Sequence, residues 1–113
     1  MVRNVTAGEA LKLWHDVNLL LVRGTGPDLS SRQMSILLTV YLEAPPHTVR
    51  ELAVKLKVTK PVITRALNAM GKHDLLSRRR DDKDRRNVLV QRTVRGALYL
   101  ERLADAIAAT PLR

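Results

Sequence analysis

Along most of this chain apolar residues recur at the three- and four-residue spacing of helices, and in one stretch they alternate as in a strand. Over residues 7–23, Ala10, Leu13, Trp14, Val17, Leu20 and Leu21 fall on one stripe, the signature of an amphipathic helix. Leu11, Leu19 and Val22 widen that stripe beyond what one small core needs, and Gly24-Thr25-Gly26-Pro27 ends it. A second predicted helix, residues 31–43, turns Met34, Leu37, Leu38 and Tyr41 inward. Pro45-Pro46 stops it, because neither ring can donate the next helical hydrogen bond. Val49, Leu52, Ala53 and Leu56 mark a short helix over 49–56. After a tight turn at Lys57-Val58, another helix runs from a cap at Thr59 to about Lys72, with Val62, Ile63, Ala66, Leu67 and Met70 on its apolar face.

Residues 76–80 and 87–93 read as two strands around a loop at 81–86, with Val88 and Val90 alternating with Leu89 and Gln91. A last helix, residues 94–109, sets Ala97, Leu100, Ala104 and Ile107 on one side. Helix starts carry their own marks. Thr6 with Glu9, Ser30 with Gln33 and Thr48 with Glu51 each fit a capping box, in which hydroxyl and carboxyl or amide satisfy each other's backbone donors.

Two short amphipathic helices joined by so few residues form a helix-turn-helix, and a hairpin directly after it gives the order of a winged helix. The predicted fold is therefore mainly α with a small β-hairpin. A winged-helix core spans residues 29–93 within a single domain of 113 residues, flanked by helical segments 1–24 and 94–113 suited to dimerisation. Aromatic residues make up 3% of the chain and Phe is absent, so the core must come from Leu, Val, Ile and Ala.

Charge narrows the function. The formal net charge is +9, and residues 57–92 hold eleven Lys/Arg against four Asp, a net of +7. Such a field attracts nucleic acid or an anionic surface. No apolar run, Leu19 to Val22 included, approaches the ~20 residues of a membrane span. With no cysteine and no signal pattern, the expected setting is the cytoplasm, at the nucleoid when DNA is bound. His15, His47 and His73 are scattered, and Asp16, Glu43 and Glu51 form no carboxylate pair at a recognisable site. No nucleophile motif or phosphate loop occurs, so neither an enzyme nor a metal or cofactor is expected.

A recognition helix must reach base edges in a major groove about 12 Å wide, so its leading residues should be short polar or cationic groups. Thr59, Lys60, Pro61, Thr64 and Arg65 meet that demand, with Asn68 one turn further on. Residues 78–86, RRRDDKDRR, would put Arg79, Arg80, Lys83, Arg85 and Arg86 on a projecting loop, where cations enter a minor groove or straddle phosphates. At least one of Asp81, Asp82 and Asp84 should pair with a neighbouring Arg and set the loop's shape. His47, Thr48 and Arg50 are weaker candidates for phosphate contact. Leu11, Trp14, Leu19 and Val22 on the first helix, with Leu100 and Ile107 on the last, are candidates for a dimer seam.

The stretches LSSRQMSILL, TVRELAVKLKVTKPVITRALNAM and LLSRRRDDKDRRNVLVQRTVRG resemble the MarR family of bacterial transcription regulators over residues 29–96. The wing carries the specific part: an Asp, one residue, an Arg, then a short strand ending at a Thr, here Asp84, Arg86 and Thr93. By that resemblance Arg86 would be the wing-tip contact to the minor groove and Asp84 its intramolecular partner. The chain departs from the pattern at Arg92, where members usually carry Leu, and at Asp74, where they carry Gly. Only one helix fits after the wing where members usually have two, which leaves the dimer's construction open. The expected function is a homodimeric, sequence-specific repressor of near-palindromic duplex DNA, with room for a small-molecule effector or protein partner. The alternative is a winged-helix interaction module or a weakly selective DNA-coating protein.

Overall fold

A computed structural model describes residues 4–111 of the chain. It divides into two units: one made of the chain up to Asp28 and from Leu100 onward, the other Leu29–Tyr99.

In the first unit, α1 spans Ala7–Arg23. It opens where Thr6 Oγ1 accepts from the Glu9 N–H and Glu9 Oε1 accepts from the Thr6 N–H, each at 3.1 Å, so the expected box is complete. Gly24 ends it, its N–H donating to the Leu20 carbonyl at 3.0 Å. The stripe predicted for this helix is buried at Val17 alone. Leu13 and Leu21 are half-buried, and Trp14, Leu20 and Ala10 are exposed. Leu11, Trp14 and Val22, which share one face at helical spacing, are 71%, 61% and 77% exposed.

The second unit holds the winged-helix core. Helix α2 spans Ser31–Leu42 and begins at a complete Ser30–Gln33 box. Its buried residues are Ile36, Leu37 and Val40, while Met34, Leu38 and Tyr41 are only half-buried. The inward face is thus rotated from the expected one. The run SILLTVYL is apolar around most of its circumference, so periodicity alone does not choose a face and packing does. Helix α3 spans Val49–Leu56. Thr48 accepts from the Glu51 N–H at 3.0 Å, but the reciprocal half of this box is not made.

Lys57 follows in the left-handed region at φ 58°. Its N–H donates to the Val54 carbonyl (3.2 Å) and that of Val58 to Ala53 (3.0 Å), a Schellman pairing in which Lys stands where Gly is customary. Val58 packs against the core, and that contact offsets the roughly 1–2 kcal/mol a non-glycine residue spends there. Helix α4 spans Lys60–Met70, ending two residues before expectation because a 3-10 turn, Gly71–His73, takes over. Asp74 closes that turn at φ 52°, in the left-handed conformation.

Strands β1, Leu76–Arg80, and β2, Val88–Arg92, pair antiparallel, with Leu76 opposite Arg92 and Arg80 opposite Val88. Thr48 bridges Leu89, and the Val90 N–H donates to the His47 carbonyl at 2.9 Å, so the segment before α3 meets β2 through an isolated bridge. Strand β2 stops short of Thr93 because Thr93 caps the next helix: its Oγ1 accepts from the Gly96 N–H at 3.0 Å and donates to the Asp74 carbonyl at 2.7 Å. Helix α5, Val94–Ala108, starts there. Its sheltered residues are Gly96, Tyr99, Leu100, Leu103, Ala106 and Ile107, whereas Ala97 and Ala104, expected inside, are exposed.

The core of this unit joins Ile36 and Val40 of α2, Leu52 of α3, Ile63 and Leu67 of α4 and Val90 of β2. A second joint is polar. The Tyr41 hydroxyl donates toward the carbonyls of Leu75 (3.1 Å) and Thr93 (3.0 Å) and accepts from the Thr93 N–H (3.0 Å). Gly96 makes room for it, since a Cβ there would collide with the Tyr41 hydroxyl and the Leu75 carbonyl. Arg92 adds a clasp. Its Nε donates to the Val40 carbonyl at 3.0 Å, an acceptor left open by the end of α2, and its guanidinium lies 5.7 Å from the Tyr41 ring centre.

Candidate nucleic-acid interface

The first turn of α4 is left open by its own sequence. Thr59 has the extended backbone of an N-cap, yet its hydroxyl makes no capping bond. A hydroxyl there accepts from the second or third helical N–H. Pro61 has none, and the Val62 N–H donates to the Thr59 carbonyl instead, at 3.1 Å. The expected cap therefore forms in the backbone and not in the side chain. Thr59, Lys60, Pro61, Thr64, Arg65 and Asn68 are all exposed, while Ile63, Ala66, Leu67 and Met70 are buried.

An open cleft of about 540 Å³ gathers Val49 and Arg50 of α3, Lys60 and Thr64 of α4, and Arg78, Arg79, Arg80, Arg86, Asn87 and Val88 of the hairpin. Six of those ten residues are cations and none is an acid. Helix α4 and the wing thus present positive charge into one concavity, where low-dielectric walls concentrate the field. Outside its lining, Thr59, Pro61, Arg65, Asn68, Lys83 and Arg85 remain exposed. Arg78 was absent from the residues expected to matter. The signal was available in the strand's period of two, which puts Arg78 and Arg80 on the same side of β1.

All three wing aspartates set geometry. Asp84 grips Arg86 through Oδ1 to Nε (3.0 Å) and Oδ2 to Nη2 (2.9 Å), a two-pronged fit, and also accepts from the Arg86 backbone N–H. Asp82 lies 3.5 Å from Arg79, and Asp81 accepts from the Lys83 backbone N–H at 3.0 Å. Arg80 donates to the Arg85 carbonyl at 3.1 Å, closing the loop on itself. Among the described residues the side chains of Lys83 and Arg85 carry no ion pair.

The Arg86 side chain, its backbone N–H and the field of Arg50 hold the Asp84 carboxyl below the usual carboxylate range, and Asp84 in turn raises Arg86. A depressed carboxylate pKa means the pair is intact above the ordinary Asp value and opens only as pH falls through the lowered one. At neutral pH the Asp84–Arg86 pair is closed.

The weaker candidates divide. Arg50 is exposed in the cleft. His47 and Thr48 are 8% and 6% exposed, and their polar atoms are spent internally, His47 Nε2 on the Glu43 carbonyl at 3.1 Å and Thr48 Oγ1 on the cap of α3. They shape the start of α3 and do not reach the surface. Among the dimer candidates, Leu11, Trp14 and Val22 are exposed, while Leu19, Leu100 and Ile107 are half-buried.

A helix-turn-helix whose second helix shares a cationic cleft with the following hairpin is a winged helix-turn-helix, a DNA-binding architecture. The MarR family model matches residues 29–88, just over half of the chain. The chain belongs to the MarR family, and so to the DNA-binding transcription regulators. No curated protein sequence matches it. Among solved structures it is similar to the transcriptional regulator BldR from Sulfolobus solfataricus, at 30% identity over 88% of this chain and 70% of that one, with a TM-score of 0.63. A mutant MarR from E. coli complexed with operator DNA is 26% identical over 87% and 67%, with a TM-score of 0.67. The transcriptional regulator Tm0710 from Thermotoga maritima, 23% identical over 88% and 67%, shares the fold with a TM-score of 0.72. Among the described residues no helix is long and apolar enough to cross a membrane.

Proposed function

We propose that this chain acts as a homodimeric repressor that reads a near-palindromic duplex, with α4 in the major groove and the wing tip in the adjacent minor groove. The observation that carries the reading is the shared cleft, lined by Lys60 and Thr64 of the helix and Arg78, Arg79, Arg80 and Arg86 of the wing without an acid among them. Thr59, Lys60, Thr64, Arg65 and Asn68 contribute the base-facing and leading contacts, and Arg86, held by Asp84, enters the minor groove. Lys83, Arg85 and Arg50 take phosphate. The operator-bound relative supports DNA as the partner.

The exposed face of Leu11, Trp14 and Val22 supports a two-fold seam built from segments 1–24 and 94–113. Residues 1–3 and 112–113 of those segments lie outside the described residues. Such a dimer sets its recognition helices about one DNA turn apart. An effector that releases DNA would act on this assembly in the cytoplasm.

Selection of duplexes from a random pool tests the reading. The expected result is a near-palindrome bound at least ~10³-fold more tightly than random duplex. A smaller ratio would overturn the repressor reading in favour of a weakly selective coating protein. Arg85→Ala should flatten the salt dependence by about one unit of slope for the lost phosphate contact.

A further inference from the structure

Leu11, Trp14, Asn18 and Val22 of α1 follow one another at three- and four-residue steps, and all four are exposed on one face. Three are apolar, and the amide of Asn18 stands among them. Its Nδ2 donates to the Trp14 carbonyl at 2.8 Å, so the side chain lies back along the stripe toward Trp14. A carbonyl only accepts, which fixes the NH2 end of the amide on it. The second N–H and the Oδ1 of Asn18 make no bond among the described residues.

An amide with an N–H and an oxygen unclaimed is its own complement, because two copies can exchange N–H···O bonds. The stripe is symmetric about it as well. Trp14 and Val22 each lie four residues from Asn18. In an antiparallel pair of α1 helices with a two-fold axis at residue 18, Trp14 of each copy meets Val22 of the other, large against small at both ends. A parallel pair would set Trp14 on Trp14 and align the helix dipoles. A slipped register would bury the amide against an apolar side chain and leave its free groups unsatisfied. We propose that the second copy of the homodimer docks on this face, with α1 antiparallel to α1 and the two Asn18 amides paired at the two-fold axis, setting the register of the seam. The inference rests on the homodimer proposed above and names where its axis passes.

The native chain has no cysteine, so single introduced cysteines report proximity. Asn18→Cys should oxidise to a disulfide-linked dimer. Leu11→Cys should not, because the antiparallel register separates the two copies of residue 11 by about 21 Å along the helices. A parallel seam would link both. Asn18→Asp sets two carboxylates against each other, and the dissociation constant from sedimentation at neutral pH should rise at least about tenfold. The position is exposed, so circular dichroism and unfolding of this variant should stay native. An Asn18 that faced only water would accept the change with an effect within about twofold.

The inference is overturned if the native chain dimerises yet Asn18→Asp associates as tightly, if Asn18→Cys forms no linked dimer, or if Leu11→Cys links equally well. A native chain that stays monomeric at every concentration defeats the homodimer reading itself, a result distinct from these.

Discussion

The two units differ in how much of their apolar surface they bury themselves. Of the thirteen buried apolar residues among those described, twelve lie in Leu29–Tyr99, and the described part of the other unit has Val17 alone. Yet Val5, Leu11, Trp14, Leu20 and Val22 of that other unit are large apolar residues left exposed. The first of these regions has a core, capped helices and a polar joint at Tyr41, with Leu42, Val54, Val94 and Leu98 exposed on its surface. The second has one stripe too many for what it covers. Apolar area removed from water is worth about 25 cal/mol per Å², so covering the exposed face of Leu11, Trp14 and Val22, as in the proposed dimer, would be favourable.

That contrast can be broken at several strengths. The largest effect belongs to the region with the core. Leu52→Ala removes a side chain that is 2% exposed, and urea unfolding should show a loss of about 2–5 kcal/mol. Trp14→Ala, at 61% exposure, should leave the unfolding of a dilute sample nearly unchanged. It should instead weaken self-association by about 2–4 kcal/mol, read from the concentration dependence of sedimentation.

Next come the two tyrosines. Tyr41→Phe strands the Leu75 carbonyl and the Thr93 N–H that its hydroxyl satisfies, the Thr93 carbonyl keeping the Ala97 N–H, at about 1–3 kcal/mol in thermal unfolding. Tyr99 has a buried hydroxyl with no partner, and burial alone pushes its pKa up. Tyr99→Phe should be neutral or slightly stabilising in the same assay.

The smallest difference separates two caps. Ser30→Ala loses a bonded cap and about 1 kcal/mol. Thr59→Ala loses none, and its stability should stay within about 0.5 kcal/mol while DNA affinity falls.

Much of this was legible from residue order, for identifiable reasons. The bounds of α1 and α3 follow from hydroxyl caps at one end and glycine or a tight turn at the other, signals that act locally. The pairing of Asp84 with Arg86 was carried by the family's wing pattern. What was not legible depends on distant partners. The face α2 buries is chosen by what packs on it, which its nearly all-round apolar sequence cannot specify. Arg92 reads as one more wing cation, and only the fold shows that it closes the end of α2. Thr59 matches the capping rule, yet Pro61 two residues on removes the donor the rule needs. Lys57 has none of the usual marks of a left-handed residue, and its conformation is imposed by the turn it must make.

The Tyr41 hydroxyl has one more consequence. Because a single oxygen ties Leu75, just before β1, to Thr93, between β2 and α5, the stem of the hairpin is anchored like the fixed end of a lever. Residues 81–87 are held by exposed bonds among themselves and to Arg79 and Arg80 of β1. In the proposed DNA complex, adjustment to a wider or narrower groove would come from that end, where compliance sits beside the wing cations.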